Sequence, residues 1–209
     1  SGPQDCACFH PQHKRNPMIA IIDYNAGNTR SVKNALDRQG QQALVTSDAD
    51  IITQADKVIF PGVGEAGSAM KYLRELNLDL AIKSLTQPFL GICLGLQLMC
   101  LYSEEGDTTG LGIYDTEVRK FPPTRLVPHI GWNTLTDLKG PLFKGIPEST
   151  DLYFVHSYYA GLSTQTMATC CYISPFSAAL QRDNFFAVQF HPEKSAATGE
   201  RVLKNFLAL

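Results

Sequence analysis

The chain has 209 residues, of which 44% are hydrophobic and 18% charged, a balance typical of a soluble globular domain with its own core. Lysine and arginine number 18 against 20 aspartates and glutamates, so the net charge of −2 excludes the basic surface typical of nucleic-acid-binding proteins. No apolar run is long enough to span a bilayer. We therefore expect one domain with neither a nucleic-acid partner nor a membrane partner.

The first 17 residues differ in composition from the rest of the chain, because they hold three prolines and show no hydrophobic periodicity. We expect a flexible tail over 1–17, with expression-derived residues at its start, and one domain over 18–209. The alternative is a metal site formed by Cys6, Cys8, His10 and His13. Their spacing matches no common zinc module, so we predict neither a metal nor a cofactor.

Short apolar runs alternate with amphipathic segments in the first half of the chain. Buried strands are predicted at Ile19–Asp23, Lys57–Phe60 and Phe89–Ile92. Helices are predicted at Thr29–Gln39, with Asn28 or Thr29 as the cap, and at about 65–76, 78–86 and 94–101. This order predicts a three-layer α/β fold with a mainly parallel central sheet and helices on both faces.

From about 112 to 189 the pattern is richer in β structure. Strand-like runs lie at 132–135, 151–155, 167–173 and 185–190, and an amphipathic helix is predicted at Gly199–Leu207. The chain has six cysteines, but a domain of this size needs no disulfides, and its polar start lacks the apolar region of a secretory signal. We expect free thiols and a cytoplasmic protein.

Cys93 lies in the stretch "LGICLGLQLM", where a buried strand leads directly into a helix. Gly91 and Gly95 leave room for a sharp turn of the kind called a nucleophile elbow. Such a turn projects the sulfur from the sheet edge, and the helix N-terminus favours its thiolate. It also leaves the N–H of Leu94 free to donate to an oxyanion. The alternative is an ordinary core cysteine.

A thiol nucleophile needs a base, and "VQFHPEKS" offers His191 with Glu193 two residues later. On an extended segment this spacing places both side chains on one side, so His191 can face Cys93 with Glu193 behind it. Taken alone, the tripeptide is more typical of a surface turn.

The stretch "PGVG", Pro61–Gly64, follows a predicted strand, as Cys93 does, so the two are expected at one edge of the sheet. The glycines beside Val63 let its N–H face a substrate oxygen. A phosphate cradle is the alternative, but the stretch lacks the Lys-Ser/Thr ending of a P-loop. Together these elements predict acyl transfer through a thioester, with an oxyanion held by the N–H groups of Val63 and Leu94.

The motifs "GICLGLQ", "PGVG" and "HPEKS" resemble those of the class I (triad) glutamine amidotransferases. "DYNAGN", "PHIGWN" and "YFVHSYY" are similar to motifs of the glutaminase subunits of imidazole glycerol phosphate synthase. The resemblance covers about 18–209 and implies a flavodoxin-like fold.

The resemblance implies that the chain hydrolyses L-glutamine and passes ammonia through a channel to a cyclase subunit with a (β/α)₈-barrel fold, its partner in a heterodimer. The cyclase would form imidazole glycerol phosphate and an aminoimidazole carboxamide ribotide in histidine biosynthesis. The implied catalytic residues are Cys93, His191 and Glu193, and the "PGVG" loop is the implied switch. The implied glutamine-binding residues are Gly62, Gly64, Gln97, His156, Ser157 and Tyr158, and the implied interface residues are Asn28, Trp132 and Lys194.

Several alternatives remain open at this point. The partner could belong to anthranilate, purine or pyridoxal phosphate synthesis. A cysteine peptidase, a thiol stress protein of similar fold, or a non-catalytic binding subunit are alternatives of a different class. Trp132 could serve ordinary packing, and His156 could be a structural histidine within a strand.

Overall fold

The computed structural model describes residues 17–209, so the predicted tail and the alternative metal site within it lie outside the described residues, except for Pro17. The strands are β1 (Ile19–Ile22), β2 (Ala43–Thr46), β3 (Lys57–Gly62), β4 (Phe89–Cys93), β5 (Cys100–Ser103), β6 (Thr108–Thr109), β7 (Tyr114–Lys120), β8 (His129–Thr136), β9 (Thr150–His156), β10 (Tyr158–Ala160), β11 (Thr166–Cys171), β12 (Pro175–Arg182) and β13 (Phe185–Val188). The helices are α1 (Thr29–Arg38), α2 (Ala49–Gln54), α3 (Ala66–Glu75), α4 (Leu78–Lys83), α5 (Leu94–Met99) and α6 (Ala196–Leu207), with 3₁₀ turns at Pro141–Phe143 and Pro192–Lys194.

The described residues form a nine-stranded central sheet in the order β2-β1-β3-β4-β13-β12-β11-β8-β9. The first five strands in this order, β2, β1, β3, β4 and β13, pair parallel to one another. The remaining pairs, from β13 through β12, β11 and β8 to β9, are antiparallel. The predicted α/β fold is confirmed, and its sheet is mixed, since hairpin connections in the β-rich second half produce antiparallel pairs. A smaller sheet, ordered β10-β7-β5-β6, packs beside it.

Hydrophobic cores lie on both faces of the central sheet. Ala20 and Ile22 of β1 point into one core, which α2, α3, α4, α5 and the small sheet cover. Ile19 and Ile21 of the same strand point into the other core, which α1 and α6 cover. The continuous apolar run of β1 therefore follows from burial on both faces, as expected for a parallel strand between two helical layers.

Most predicted elements are confirmed within a few residues, whereas β2, α2, β5, β6, β7, β10 and β12 were not predicted. The helix predicted over 94–101 ends at Met99, because Cys100 instead pairs with Tyr114 in the small sheet. In the described part of the chain, no helix is both long and apolar enough to cross a membrane.

The sheet register determines which residues meet at the carboxyl edge. Gly62 at the end of β3 pairs with Cys93 at the end of β4. On the other side of β4, Val188 of β13 pairs with Ile92, so the chain that continues toward His191 leaves the sheet beside Cys93. Three predicted functional segments thus converge at this edge, where parallel sheets commonly carry their sites.

Candidate active site

Cys93 forms the sharp turn between β4 and α5. Its backbone has φ 55° and ψ −108°, a strained conformation for a residue with a side chain. A Cβ at Gly95 would collide with the carbonyl oxygen of Phe60, and a Cβ at Gly91 would lie 2.5 Å from Met99 Sδ. The two glycines therefore permit close packing of α5 on the sheet, while Cys93 itself adopts the unusual turn. Leu94 begins α5, so its N–H has no acceptor within the helix.

His191 and Glu193 are in direct contact. His191 Nδ1 lies 2.8 Å from Glu193 Oε1, and both side chains are almost completely buried. The predicted extended spacing is only half correct: His191 is extended, but Glu193 lies in the 3₁₀ turn Pro192–Lys194. Ser195 stabilises this turn, because its hydroxyl donates to the His191 carbonyl at 2.6 Å and accepts from the N–H of Tyr153 at 3.0 Å.

Asn28 supports the carboxylate of Glu193 from the end of the first loop. Its Nδ2 donates to Glu193 Oε1 at 2.6 Å, the same oxygen that His191 contacts. Asn28 has φ 68°, a left-handed conformation that asparagine tolerates better than most residues. The structure therefore places this predicted interface residue directly behind the histidine–glutamate pair.

Opposing influences act on the pKa of His191. Burial lowers it, but the neighbouring Cys93 and the hydrogen-bonded carboxylate of Glu193 together outweigh burial and raise the pKa from 6.5 to about 10. His191 Nε2 is buried and has no hydrogen-bond partner among the described atoms. His191 is therefore held as an imidazolium at neutral pH, with its Nε2–H free for a reacting group in the cavity.

The loop that carries Val63 does not present its N–H to Cys93. The Val63 N–H donates instead to the carbonyl of Ala26, with an N–O distance of 2.6 Å. Val63 is 40% exposed, and the next residue, Gly64, has φ 124°, a backbone conformation that favours glycine. The oxyanion role predicted for Val63 requires this hydrogen bond to break.

Tyr24 lies behind this loop. Its hydroxyl occupies the space where Gly62 would carry a Cβ, and it is buried without a hydrogen-bond partner. Burial and the nearby Cys93 raise its pKa well above 10, so the hydroxyl stays neutral.

A cavity of about 330 Å³ brings most of the predicted site together. Its predicted lining residues are Val63, Gly64, Cys93, Leu94, Gln97, His156, Ser157, Tyr158, His191 and Lys194. Three further lining residues, Glu105, Pro128 and Val155, were not predicted. Glu105 lies in a loop without periodicity, so no sequence pattern pointed to it. Gly62, Asn28 and Trp132 lie outside the lining, although Gly62 pairs with Cys93.

The ring nitrogens of His156 are both used within the protein. Nδ1 lies 2.7 Å from the carbonyl of Tyr158, which can only accept, so Nδ1 carries the proton. Nε2 therefore accepts from His129 Nδ1 at 2.9 Å. Burial lowers the pKa of His156 to about 3 and that of His129 to about 4, so both rings are neutral at pH 7. His156 can contact a substrate only through its ring edge or backbone.

The other predicted interface residues lie at the surface near the cavity. Trp132 of β8 is 55% exposed and contacts Tyr153, and Ile130, two residues earlier on the same face, is 59% exposed. Lys194 is exposed and lines the cavity. This face of the molecule thus combines apolar surface with access to Cys93.

Comparison with known proteins gives a consistent result. The family model for class I glutamine amidotransferases matches residues 20–209. A Bacteroides fragilis protein named imidazole glycerol phosphate synthase subunit HisH is 58% identical over 194 residues, covering 91% of this chain and 99% of that protein. The Escherichia coli protein of the same name is 46% identical over 194 residues, with the same two coverages.

Solved structures share the fold at low sequence identity. A glutamine amidotransferase structure superposes with a TM-score of 0.71 at 19% identity, covering 91% of this chain and 97% of the other. PurLQS from Thermotoga maritima gives a TM-score of 0.69 at 15% identity, covering 93% and 99%. At these identities the likeness concerns the fold alone.

Proposed function

We propose that this chain, which belongs to the class I glutamine amidotransferase family, hydrolyses L-glutamine to glutamate and ammonia and supplies the ammonia to a cyclase subunit in histidine biosynthesis. The observation that carries the proposal is the cavity that Cys93 and His191 line together, with Glu193 bonded behind the histidine. The 58% identical relative named as a subunit of imidazole glycerol phosphate synthase supports the pathway.

In the first half of the reaction, the sulfur of Cys93 attacks the side-chain amide carbon of glutamine. The negative charge that develops on the amide oxygen is stabilised by the N–H of Leu94 and, once its bond to Ala26 is broken, by the N–H of Val63. His191 gives its Nε2 proton to the departing nitrogen, so ammonia leaves and a thioester remains.

In the second half, the neutral imidazole of His191 accepts a proton from water, and the resulting hydroxide attacks the thioester carbon. Collapse of this second tetrahedral intermediate breaks the C–S bond, releases glutamate and returns the electron pair to sulfur. Glu193 keeps Nδ1 of His191 protonated and Nε2 directed into the cavity throughout.

The cavity also offers groups for the two ends of a free amino acid. Glu105 is a lining carboxylate whose Oε2 accepts from the N–H of Ala66 at 2.9 Å, which fixes its position for the α-ammonium group of glutamine. Gln97, Ser157, Tyr158 and Gly64, which line the cavity, complete the proposed glutamine site together with the backbone of Gly62, which pairs with Cys93. A peptide substrate would have no ammonium group at this position, so Glu105 favours free glutamine.

The partner of this proposal is a cyclase with a (β/α)₈-barrel fold, docked over the cavity mouth. Ile130 and Trp132 provide exposed apolar surface for it, and Lys194 provides a positive charge at the rim. The free cysteines among the described residues, Cys93, Cys100, Cys170 and Cys171, agree with a cytoplasmic location.

Glutamate release from glutamine tests the proposal in three conditions: the chain alone, with a cyclase subunit, and with the cyclase plus its phosphoribosyl-formimino ligand. We expect a large increase only in the last condition, because the Val63 N–H is otherwise engaged, and no turnover with Cys93→Ala in any condition. High activity that is indifferent to the cyclase would move the chain to another class I partner. Turnover by folded Cys93→Ala would contradict the catalytic assignment itself.

A further inference from the structure

The sulfur of Cys93 has a polar neighbour that the proposed triad does not include. Gln189 Nε2 lies 3.6 Å from Cys93 Sγ, within the range of a hydrogen bond to sulfur. The β13–β4 register explains the contact, because Val188 pairs with Ile92, and these two residues are followed in the chain by Gln189 and Cys93. Gln189 is 0% exposed, and its own N–H is bonded to the Ala178 carbonyl at 2.9 Å.

Neighbouring residues fix which end of the Gln189 amide faces the sulfur. Gln97 Nε2 donates to the backbone carbonyl of Tyr158 at 2.9 Å, and a carbonyl can only accept. The same Nε2 group donates its second hydrogen to Gln189 Oε1 at 3.0 Å. The oxygen of Gln189 is therefore directed to Gln97, and its NH₂ group is directed to Cys93.

The Tyr158 carbonyl is itself held in place. His156 Nδ1 donates to it at 2.7 Å, so this oxygen accepts two hydrogen bonds from buried side chains. His156 and Gln97 thus both donate to the Tyr158 carbonyl, and from Gln97 onward each side chain donates to the next, first to Gln189 and then to the Cys93 sulfur. This series of contacts ends with a donor on the nucleophile.

We propose that Gln189 is a further catalytic residue, which donates a hydrogen bond to the Cys93 sulfur, and that Gln97 is the positioning residue that sets the orientation of its amide. The inference rests on the proposed function, since it assigns Gln189 to the same nucleophile. The bond is strongest when the sulfur carries negative charge, before attack on glutamine and again when the C–S bond of the thioester breaks. The side-chain amide of Gln189 keeps its hydrogen throughout, so the atoms and charges of the hydrolysis balance as before.

Alkylation of Cys93 by iodoacetamide across pH tests this donor without any need for turnover. In Gln189→Leu, which removes the amide at similar size, we expect the alkylation profile to move to higher pH by about one unit, because a charge-assisted hydrogen bond is lost. The matched control is Gln87→Leu, whose amide bonds the carbonyls of Ile52 and Thr53 away from the site. The other titratable or charged side chains that line this cavity or lie near Cys93 are His191, His156, Glu105, Lys194, Tyr158 and Tyr24, and the substitution alters none of them.

Steady-state turnover in the activated complex gives a second readout. We expect kcat for glutamine to fall roughly 10-fold to 100-fold in Gln189→Leu with little change in KM, the effect of one hydrogen bond to a reacting atom. The double variant Gln97→Leu, Gln189→Leu should shift the alkylation profile little further along pH than Gln189→Leu alone, since Gln97 acts on the sulfur through Gln189. A folded Gln189→Leu protein with the wild-type alkylation profile would overturn the proposal.

A measurement on the wild-type chain covers the case in which Gln189→Leu does not fold. Alkylation of Cys93 removes the charged acceptor, so the ¹⁵N–¹H signals of the Gln189 side-chain amide should shift, while those of Gln87 should not. Unshifted Gln189 signals would overturn the proposal. If the chain hydrolyses no glutamine under any condition, the proposed function fails, whereas the alkylation and NMR results still decide whether Gln189 bonds the sulfur.

Discussion

Two buried histidines line the same cavity, and their pKa values shift in opposite directions. Burial lowers the pKa of both, yet that of His191 is raised to about 10 and that of His156 falls to about 3. The two pKa values differ because the two rings contact different groups. His191 contacts Glu193 and faces Cys93, whereas His156 donates to a backbone carbonyl and accepts from the neutral ring of His129.

This comparison teaches that burial alone does not determine the charge of a histidine. A carboxylate and an ionised cysteine sulfur offer negative charge that stabilises an imidazolium in a poorly solvated site, whereas a carbonyl and an imidazole do not compensate for lost hydration. His191 is thereby suited to carry a proton to the reacting nitrogen, and His156 to keep one fixed position as a neutral ring. The following experiments test this division, beginning with the largest expected effect.

His191→Asn should nearly eliminate glutamine hydrolysis, because the site loses the imidazole that we propose carries a proton to the departing nitrogen. We expect kcat in the activated complex to fall by about 10⁴-fold or more. Glutamate release measures the loss, with His156→Gln as the comparison at the other histidine. If His191→Asn retained activity within about tenfold of wild type, the roles of the two histidines would have to be reassigned.

Glu193→Gln should convert the environment of His191 toward that of His156 by replacing the carboxylate with a neutral group. We expect kcat to fall roughly 10²-fold to 10⁴-fold, because the imidazolium loses its stabilising charge and its defined tautomer. An NMR titration of the His191 ring should also show a lower pKa than in wild type.

Glu148→Gln is the matched control for that substitution, since Glu148 accepts from the N–H of Leu138 at the surface. It should leave kcat unchanged. A His191 pKa that does not move in Glu193→Gln would contradict the charge argument, whatever the loss of activity.

Asn28→Gly should have a smaller effect on kcat, because Glu193 Oε1 loses one hydrogen-bond donor, Asn28, but keeps the other, His191. Glycine tolerates the positive φ of this position, so the substitution removes the amide without adding backbone strain. We expect kcat at saturating cyclase to fall about tenfold, the value of one hydrogen bond to a charged group. Asn25→Gly, at another positive φ position, is the control and should change little.

The same experiment separates two roles for Asn28. A residue that only contacts the cyclase would weaken binding of the partner and leave kcat at saturation intact. A residue that positions Glu193 would lower kcat at saturation.

The sequence predicted the parallel half of the fold more completely than the rest. Continuous apolar runs identified β1, β3 and β4, and the glycines around Cys93 identified the turn, because those signals are local. The short, partly exposed β2 and the whole of β12 gave no comparable signal.

In the candidate site, too, local sequence patterns identified some residues and missed others. Cys93, His191 and Glu193 belong to recognisable motifs, whereas Glu105 meets the cavity only through tertiary packing. Gln189 was predictable in part, since it precedes His191 by two residues in a strand-like run and alternation places both side chains on one side. The engagement of the Val63 N–H with Ala26 depends on the loop conformation, which no sequence pattern determined.

The smallest expected effect concerns stability at His156. Its pKa is about 3 in the folded chain and 6.5 unfolded, so between these values the unfolded chain binds more protons and the free energy of unfolding rises with pH. This contribution is complete above pH 6.5 and is lost as the pH falls toward 3. From pH 6.5 to pH 5 we expect wild type to lose roughly 1 to 2 kcal/mol from this residue.

Between pH 5 and pH 6.5, the effect of His156 on the free energy of unfolding can be separated from that of His191. His191 binds its proton in the folded chain up to about pH 10, and below pH 6.5 the unfolded chain is mostly protonated there too, so His191 adds little slope. His156→Gln can still donate to Tyr158 and accept from His129 but does not titrate, so urea unfolding of this variant should show a smaller loss between pH 6.5 and pH 5. An equal loss in variant and wild type would mean that His156 is not held neutral, and the contrast between the two histidines would then rest on His191 alone.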